Sequence, residues 1–199
     1  MPWIPLPIIG VLKAWLLSST GAEPYSYVPF ATQIGINYVA AAIAVQTSYG
    51  GTPPITVGTA AGIQIGFESS FTELEKWSTD NVTWEPFSAP REWNQEIPDY
   101  VWKDAAQSIV DYWTGGQMSP LPPPPPGVVP TLNPILNGGS IMPLQADIGN
   151  AFKLNNTNDL CNALNDAFKK HLTTVSGTWT GVTGSVPPLP YVFPWVGLS

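Results

Sequence analysis

Ser119 to Pro134 reads SPLPPPPPGVVPTLNP, and the run Pro122 to Pro126 inside it decides how the rest of the chain divides. Linked prolines hold φ near −65° and remove one backbone donor each. The run can therefore be neither helix nor central strand, and it is expected as an extended polyproline II rod. At ~3.1 Å per residue, eight residues of such a rod carry the chain ~25 Å. The rod is read as a stiff spacer over 119–140. It separates a first helical half, 30–118, from a second, 141–177, with extended arms at 1–29 and 178–199.

Working outward, Trp102–Trp113 (WKDAAQSIVDYW) predicts a short helix ended by Gly115-Gly116. On the other side, Asn137-Gly-Gly-Ser140 turns the chain into Leu144–Lys153. A strong helix then follows over Thr157–Val175, with Leu160, Cys161, Leu164, Phe168, Leu172 and Val175 forming one stripe. Thr157 or Asn158 can cap its start, and Lys169, Lys170 and His171 lie toward its negative end. Further out, Phe30–Gln46 and Thr59–Lys76 read as helices with aliphatic and aromatic residues at helical spacing. Gly62 and Gly66 would let another backbone approach the second of these. Trp77–Pro98 is expected to be irregular, and 178–199 to be a short strand followed by an extended arm. Met1–Leu17 is apolar but lacks the basic start of a secretory signal, and the uncharged centre of Phe30–Gln46 is too short for a membrane span.

An aliphatic residue followed four positions later by an aromatic one recurs at Ile34/Tyr38, Ile63/Phe67, Ile109/Trp113, Ile148/Phe152 and Leu164/Phe168. On a helix each pair stacks on one face. Two readings stand side by side: two degenerate copies of helix, proline-rich crossover, helix, or ordinary core packing in a chain rich in aromatics. The fold class expected is mainly α with extended proline-rich arms and little regular β.

Charge is scarce and unevenly placed. Only 11% of the 199 residues are charged, so much of the surface should be covered by something. The whole net charge of −7 falls between Glu68 and Asp111, while 24–67, 112–146 and 171–199 contain no Asp, Glu, Lys or Arg. An acidic middle argues against nucleic acid, because phosphate binding needs clustered Lys and Arg. It suits a basic protein surface facing 68–111.

Cys161 stands alone, which excludes an internal disulfide, and it reads as a small apolar residue on a helix face. His171 lies ten residues beyond Cys161, which places the two on different helix faces and excludes a Cys-His pair there. A capping or solvent-facing histidine is expected. No HExxH, Walker loop, GxSxG or GxGxxG is present, and no catalytic residue, metal site or cofactor is expected. Trp77, Trp84, Trp93, Trp102 and Trp113 stand among the carboxylates. They could be interface or core residues, or could bind sugar rings beside a glycosidase-like carboxylate pair. The residues expected at a partner surface are Trp84, Trp93, Trp102, Trp179, Tyr191, Phe193 and Trp195.

The alternation of short helices with proline-rich arms in DAAQSIVDYWTGGQMSPLPPPPPG and ALNDAFKKHLTTVSGTWTGVTGSVPPLP resembles small virion proteins of tailed bacteriophages. That resemblance covers about half the chain. It implies a non-enzymatic, multimeric component of a tail, neck, baseplate or capsid joint, assembled in the host cytoplasm and contacting other structural proteins of the particle. A carbohydrate-binding module or glycosidase built on 68–113 is the alternative, and a membrane-associated protein the third reading.

Overall fold

A computed structural model describes residues 27–48, 58–81, 97–116, 127–154, 157–184 and 190–196. The chain is mainly helical. The first helix, α1 (Tyr27–Ser48), starts three residues before the expected one, because Pro29 falls in its first turn, where a missing N–H costs nothing. It contains no charged residue. It buries Phe30, Ala31, Ile34, Tyr38, Ala41 and Ala42. The second helix, α2 (Ala60–Asn81), is capped by Thr59, whose Oγ1 accepts from the Gly62 N–H at 3.1 Å. A 3-10 turn, Asp99–Trp102, leads into α3 (Lys103–Trp113), and Gly115 at φ 78 stops it. Two more helices, α4 (Ile141–Phe152) and α5 (Thr157–Leu172), form a hairpin. α5 ends one turn earlier than expected, where Thr173 and Thr174 bond back to Lys170 and His171.

All ten residues of the five aliphatic–aromatic pairs are buried at 0% exposure, one pair on each of the five helices. The recurrence is thus accounted for by a single core in which every helix contributes a stacked pair. The aromatic rings form a connected series. Trp102 lies flat on Phe152 (4.1 Å, 9°), Phe71 meets both edge-on, Phe67 and Phe71 are neighbours, and Phe168 links Phe67 to Tyr38. Each such ring contributes on the order of 2–3 kcal/mol on burial, with edge-to-face geometry adding about 1 more. Trp113 donates its Nε1–H to Tyr38 Oη at 2.7 Å, and burial raises the Tyr38 phenol far above its ordinary pKa. Of the two glycines expected to admit a neighbour, Gly66 does. A Cβ there would meet Ser108 and lie 2.6 Å from the Asp104 carbonyl, whereas Gly62 faces solvent.

The expected spacer and C-terminal arm are corrected by a sheet. β1 (Val128–Asn137), β2 (Ser176–Thr183) and β3 (Pro190–Val196) pair antiparallel in the order β1-β2-β3. Much of the segment read as spacer, 119–140, is therefore a strand. In 178–199, read as a short strand followed by an arm, the strand is present as part of β2, and the described part of the arm returns on its own chain as β3. The prolines misled the reading. Both proline-bearing strands are edge strands, where a proline nitrogen can face away from the ladder, and two irregularities in β1 absorb the remaining mismatch. In the second half, β1 occupies the expected proline-rich crossover between α3 and α4. Pro122–Pro126 and the N-terminal arm up to residue 26 lie outside the described residues.

The sheet joins the helices at one end. There Gly115 donates to the Leu136 carbonyl (2.9 Å), Leu136 donates to Gly116 (2.8 Å), and Leu136 enters the core. At the opposite tip, Gly184 donates to Gly127 (2.9 Å). Seven steps of β2 at ~3.4 Å set base and tip about 24 Å apart. Gly116 and Gly127, the described flanks of the proline run, stand at those two ends.

Candidate partner-binding surface

The seven expected surface residues separate into three groups. Trp84 and Trp93 lie outside the described residues. Trp102 is a correction: at 0% exposure it belongs to the core, stacked on Phe152, and no partner reaches its ring. Its indole N–H has no hydrogen-bond partner. Trp113 is equally buried and Trp77 packs against the core, so none of the described Trp residues of 68–113 forms a platform for sugar rings.

The third group comes together. In β2 and β3, Trp179 is opposite Phe193, Gly177 opposite Trp195, and Gly181 opposite Tyr191. Directly paired residues share a face, and residues two apart share it too. Positions 179, 191, 193 and 195 therefore fall on one face of the sheet, interleaved with Gly177 and Gly181, and Leu136 continues that face into the core. The other face carries Ser176, Thr178, Thr180, Val182, Val192, Pro194 and Val196. The sequence placed all four aromatics at a surface; it did not show that one face gathers them.

No residue of the three strands is Asp, Glu, Lys or Arg. Among the described elements, the helices approach the sheet at its base, where β1 runs beside α3. The open edge of β3 is also distinctive. Pro190 and Pro194 are four residues apart and so face the same way. In a paired strand that way is outward, because a proline has no proton to give β2. An edge that lacks half its donors is a poor template for another strand.

Asp111, beside Val110, is near the base of the sheet, whereas the α2 carboxylates are remote from it. Gly58 lies against Tyr112 and Gly66 against Ser108, so α2 runs antiparallel to α3 and away from the base of the sheet. Glu73 and Glu75 are fifteen and seventeen residues beyond Gly58, about 22–26 Å along α2. Several carboxylates are engaged locally: Ser69 donates to Asp104, Gln107 to Asp111, Gln64 to Glu68, and Lys76 pairs with Glu73.

Where the sheet meets the helices, His171 corrects the expectation of a capping or solvent-facing histidine. It is 3% exposed, and its ring nitrogens reach no partner at good hydrogen-bond geometry, the Gly138 backbone being a weak contact. A Cβ on Gly139, which stands at φ 85, would come within 3.1 Å of its Nε2. Burial pushes the imidazole pKa down to about 4, with the Gly138 backbone offsetting part of the effect. The ring thus underlies the Asn137–Ser140 joint, next to Thr174 of the α5–β2 joint, whose Oγ1 accepts from Ser140 N–H. The stripe at Leu164, Phe168 and Leu172 could have signalled that the next residue is drawn inward at the helix end.

One cleft of ≈ 340 Å³ lies between α4 and α5, floored by Ala151, Ala163 and Ala167 and flanked by Asp166 and the Lys170–Asp147 pair. It assembles no nucleophile with a base. Among the described residues no group of three His, Cys, Asp or Glu could hold a metal ion, and no helix is long and apolar enough to cross a membrane. Comparison with protein-family models, curated proteins and solved structures returned no match for the chain.

Proposed function

We propose that this chain is a non-enzymatic structural component of a virus particle, of the kind that joins subunits at the tail, neck, baseplate or capsid joints of tailed bacteriophages. The observation that carries the reading is the partition of the molecule. A wholly uncharged sheet projects from one end of a helical body, and the carboxylates Glu73 and Glu75 of α2 lie toward the other. A charge-free face with four aromatic positions suits burial against protein, and an acidic end suits a basic neighbour. Two chemically distinct ends on one short chain are what a bridging subunit requires. The virion setting comes from the resemblance of the proline-rich, short-helix style. The bridge is assigned to the sheet and the acidic end in place of a free C-terminal arm.

The test is recovery of the chain, at constant stoichiometry to the other structural proteins, from density-gradient-purified particles. Its deletion should leave particles that lack a joint. Recovery only from the soluble fraction, with normal particles after deletion, would overturn the reading.

A further inference from the structure

We infer that the uncharged outer face of α1 is a docking site for the chain's own N-terminal segment, Met1–Leu17, which returns along the helix that it precedes. The inference rests on α1 and the sequence before it, and holds whether or not the virion reading does.

Three observations select the face and its occupant. First, α1 is built for burial on both sides. At about 100° per residue, Val28, Thr32, Ile36, Val39, Ala40 and Ile43 fall within one sector of about 120°, opposite the side that enters the core. Val28 is 50% exposed, Ile36 49% and Ile43 41%. The polar groups nearest this sector are turned back into the helix: Thr32 Oγ1 donates to the Val28 carbonyl at 2.7 Å, and Gln33 Oε1 accepts from Asn37 Nδ2 at 3.4 Å. Among the described helices α1 alone has no Asp, Glu, Lys or Arg, and a helix that is apolar all round belongs to an interior. Second, the preceding residues match this face in length and in chemistry. The chain reaches α1 at Tyr27, one residue before the stripe begins. Val28 to Ile43 spans about 23 Å, and the seventeen residues of Met1–Leu17 cover ~25 Å even at the helical rise. That leaves Ser18–Ser26, SSTGAEPYS, with Gly21 and Pro24, for the return. Met1–Leu17 reads MPWIPLPIIGVLKAWLL, and its single charged side chain is Lys13. α2 packs beside α1, with Gly35 against Ala60 and Phe30 against Phe71, and between those contacts it carries Glu68, a carboxylate of the opposite sign. Third, attachment favours this occupant over a separate chain. A nine-residue connection holds the segment at an effective concentration on the order of millimolar, and its docking loses no translational freedom of a second molecule. A second copy would have to displace it while bringing together two chains that each carry −7.

Lys13 supplies the test, because it is the only Lys or Arg before Lys76. Trypsin cutting after it gives one product, shortened by thirteen residues, that mass spectrometry follows over time. The full chain is digested under native conditions across a range of micromolar concentrations. The double variant Ile36→Gln with Ile43→Gln should speed cleavage at Lys13 by more than about tenfold with the helical circular dichroism unchanged, since cleavage tracks the population of the released segment. Met142→Gln, equally conservative and at the exposed surface of α4, should leave the rate as it is. Should the double variant lose helical signal, Ile36→Ala with Ile43→Ala replaces it and must show the same acceleration. Cleavage at one rate in the parent and the α1 variants would overturn the inference, and would mean that the face is free or is covered by something other than Met1–Leu17. So would protection that fades on dilution, which would assign the face to a second copy, or acceleration by Met142→Gln as well.

Discussion

The helical body and the sheet solve the same problem by opposite means. In the body, every helix inserts a stacked aliphatic–aromatic pair into a common core, and buried hydrogen bonds such as Trp113–Tyr38 and Ala105 N–H to Ser70 Oγ tie helix to helix. The sheet is held by its ladder, and is joined to the body at Leu136, Gly138 and Gly139. The body can satisfy itself. A three-stranded sheet is near the minimum for independent stability and gains from packing on a neighbouring element. The difference teaches that core packing and ladder pairing are separable sources of stability in this molecule, and it can be tested by substitutions that strike one region and spare the other.

The largest effect is expected in the aromatic series. Trp102→Ala removes the ring stacked on Phe152 and in edge contact with Phe71, and should cost about 3–5 kcal/mol in urea unfolding followed by circular dichroism. Trp195→Ala in β3 should leave the unfolding of the helices within about 1 kcal/mol of the parent, since β3 pairs with β2 and with no helix among the described elements. Equal losses from the two would show that sheet and body unfold as one unit.

A smaller effect tests the joint between the regions. The His171 pKa is about 4 in the folded chain against 6.5 for an ordinary imidazole, so the unfolded chain binds the extra proton between those values. Stability is therefore full above about pH 6.5, falls as pH drops toward 4, and levels off for this group below that. The loss is on the order of 3 kcal/mol. His171→Phe should remove most of this slope. If the slope between pH 6.5 and 4 is the same in the variant, the ring is not buried at the joint. Melting of the sheet should respond more than melting of α2, because the ring lies under Gly139 and beside the connections to β1 and β2.

Much of the body was legible in the sequence. Periodic stripes placed all five helices within a few residues, since their buried faces repeat at 3.6 and Gly115-Gly116 ends α3, whereas the end of α5 was set one turn too far because nothing in its stripe stops at Leu172. Of the sheet, the short strand expected in the C-terminal stretch was legible and is part of β2, but its partners were not. The proline-rich stretches were read as spacer and arm because proline is excluded from a central strand, whereas β1 and β3 are edges, and the edge status of β1 depends on pairing with residues about forty to fifty-five positions away. That a proline run joins two halves could be read; that its flanks are the base and tip of one sheet could not. At the candidate surface, composition picked out Trp179, Tyr191, Phe193 and Trp195, whereas only the register shows that they share a face. Trp102 was misplaced because a tryptophan among carboxylates looks exposed until the 3-10 turn rotates it inward.

The smallest effect should come from the charges on the body. Lys170 reaches Asp147 at 2.7 Å across the mouth of the α4–α5 cleft, and its side chain is 64% exposed. An ion pair in that setting gains little, because water screens the attraction and a long side chain loses rotamer freedom in holding it. Lys170→Ala should therefore change stability by less than about 1 kcal/mol, and raising salt should shrink even that difference. The alanine floor of the cleft, Ala151, Ala163 and Ala167, remains packed without the bridge, so the two helices should not part. A loss of several kcal/mol, or separation of α5 from α4 seen as faster amide exchange along both helices, would show that the Lys170–Asp147 pair clamps the hairpin. The division between a body stabilised by its core and a sheet held by its ladder would then have to be redrawn.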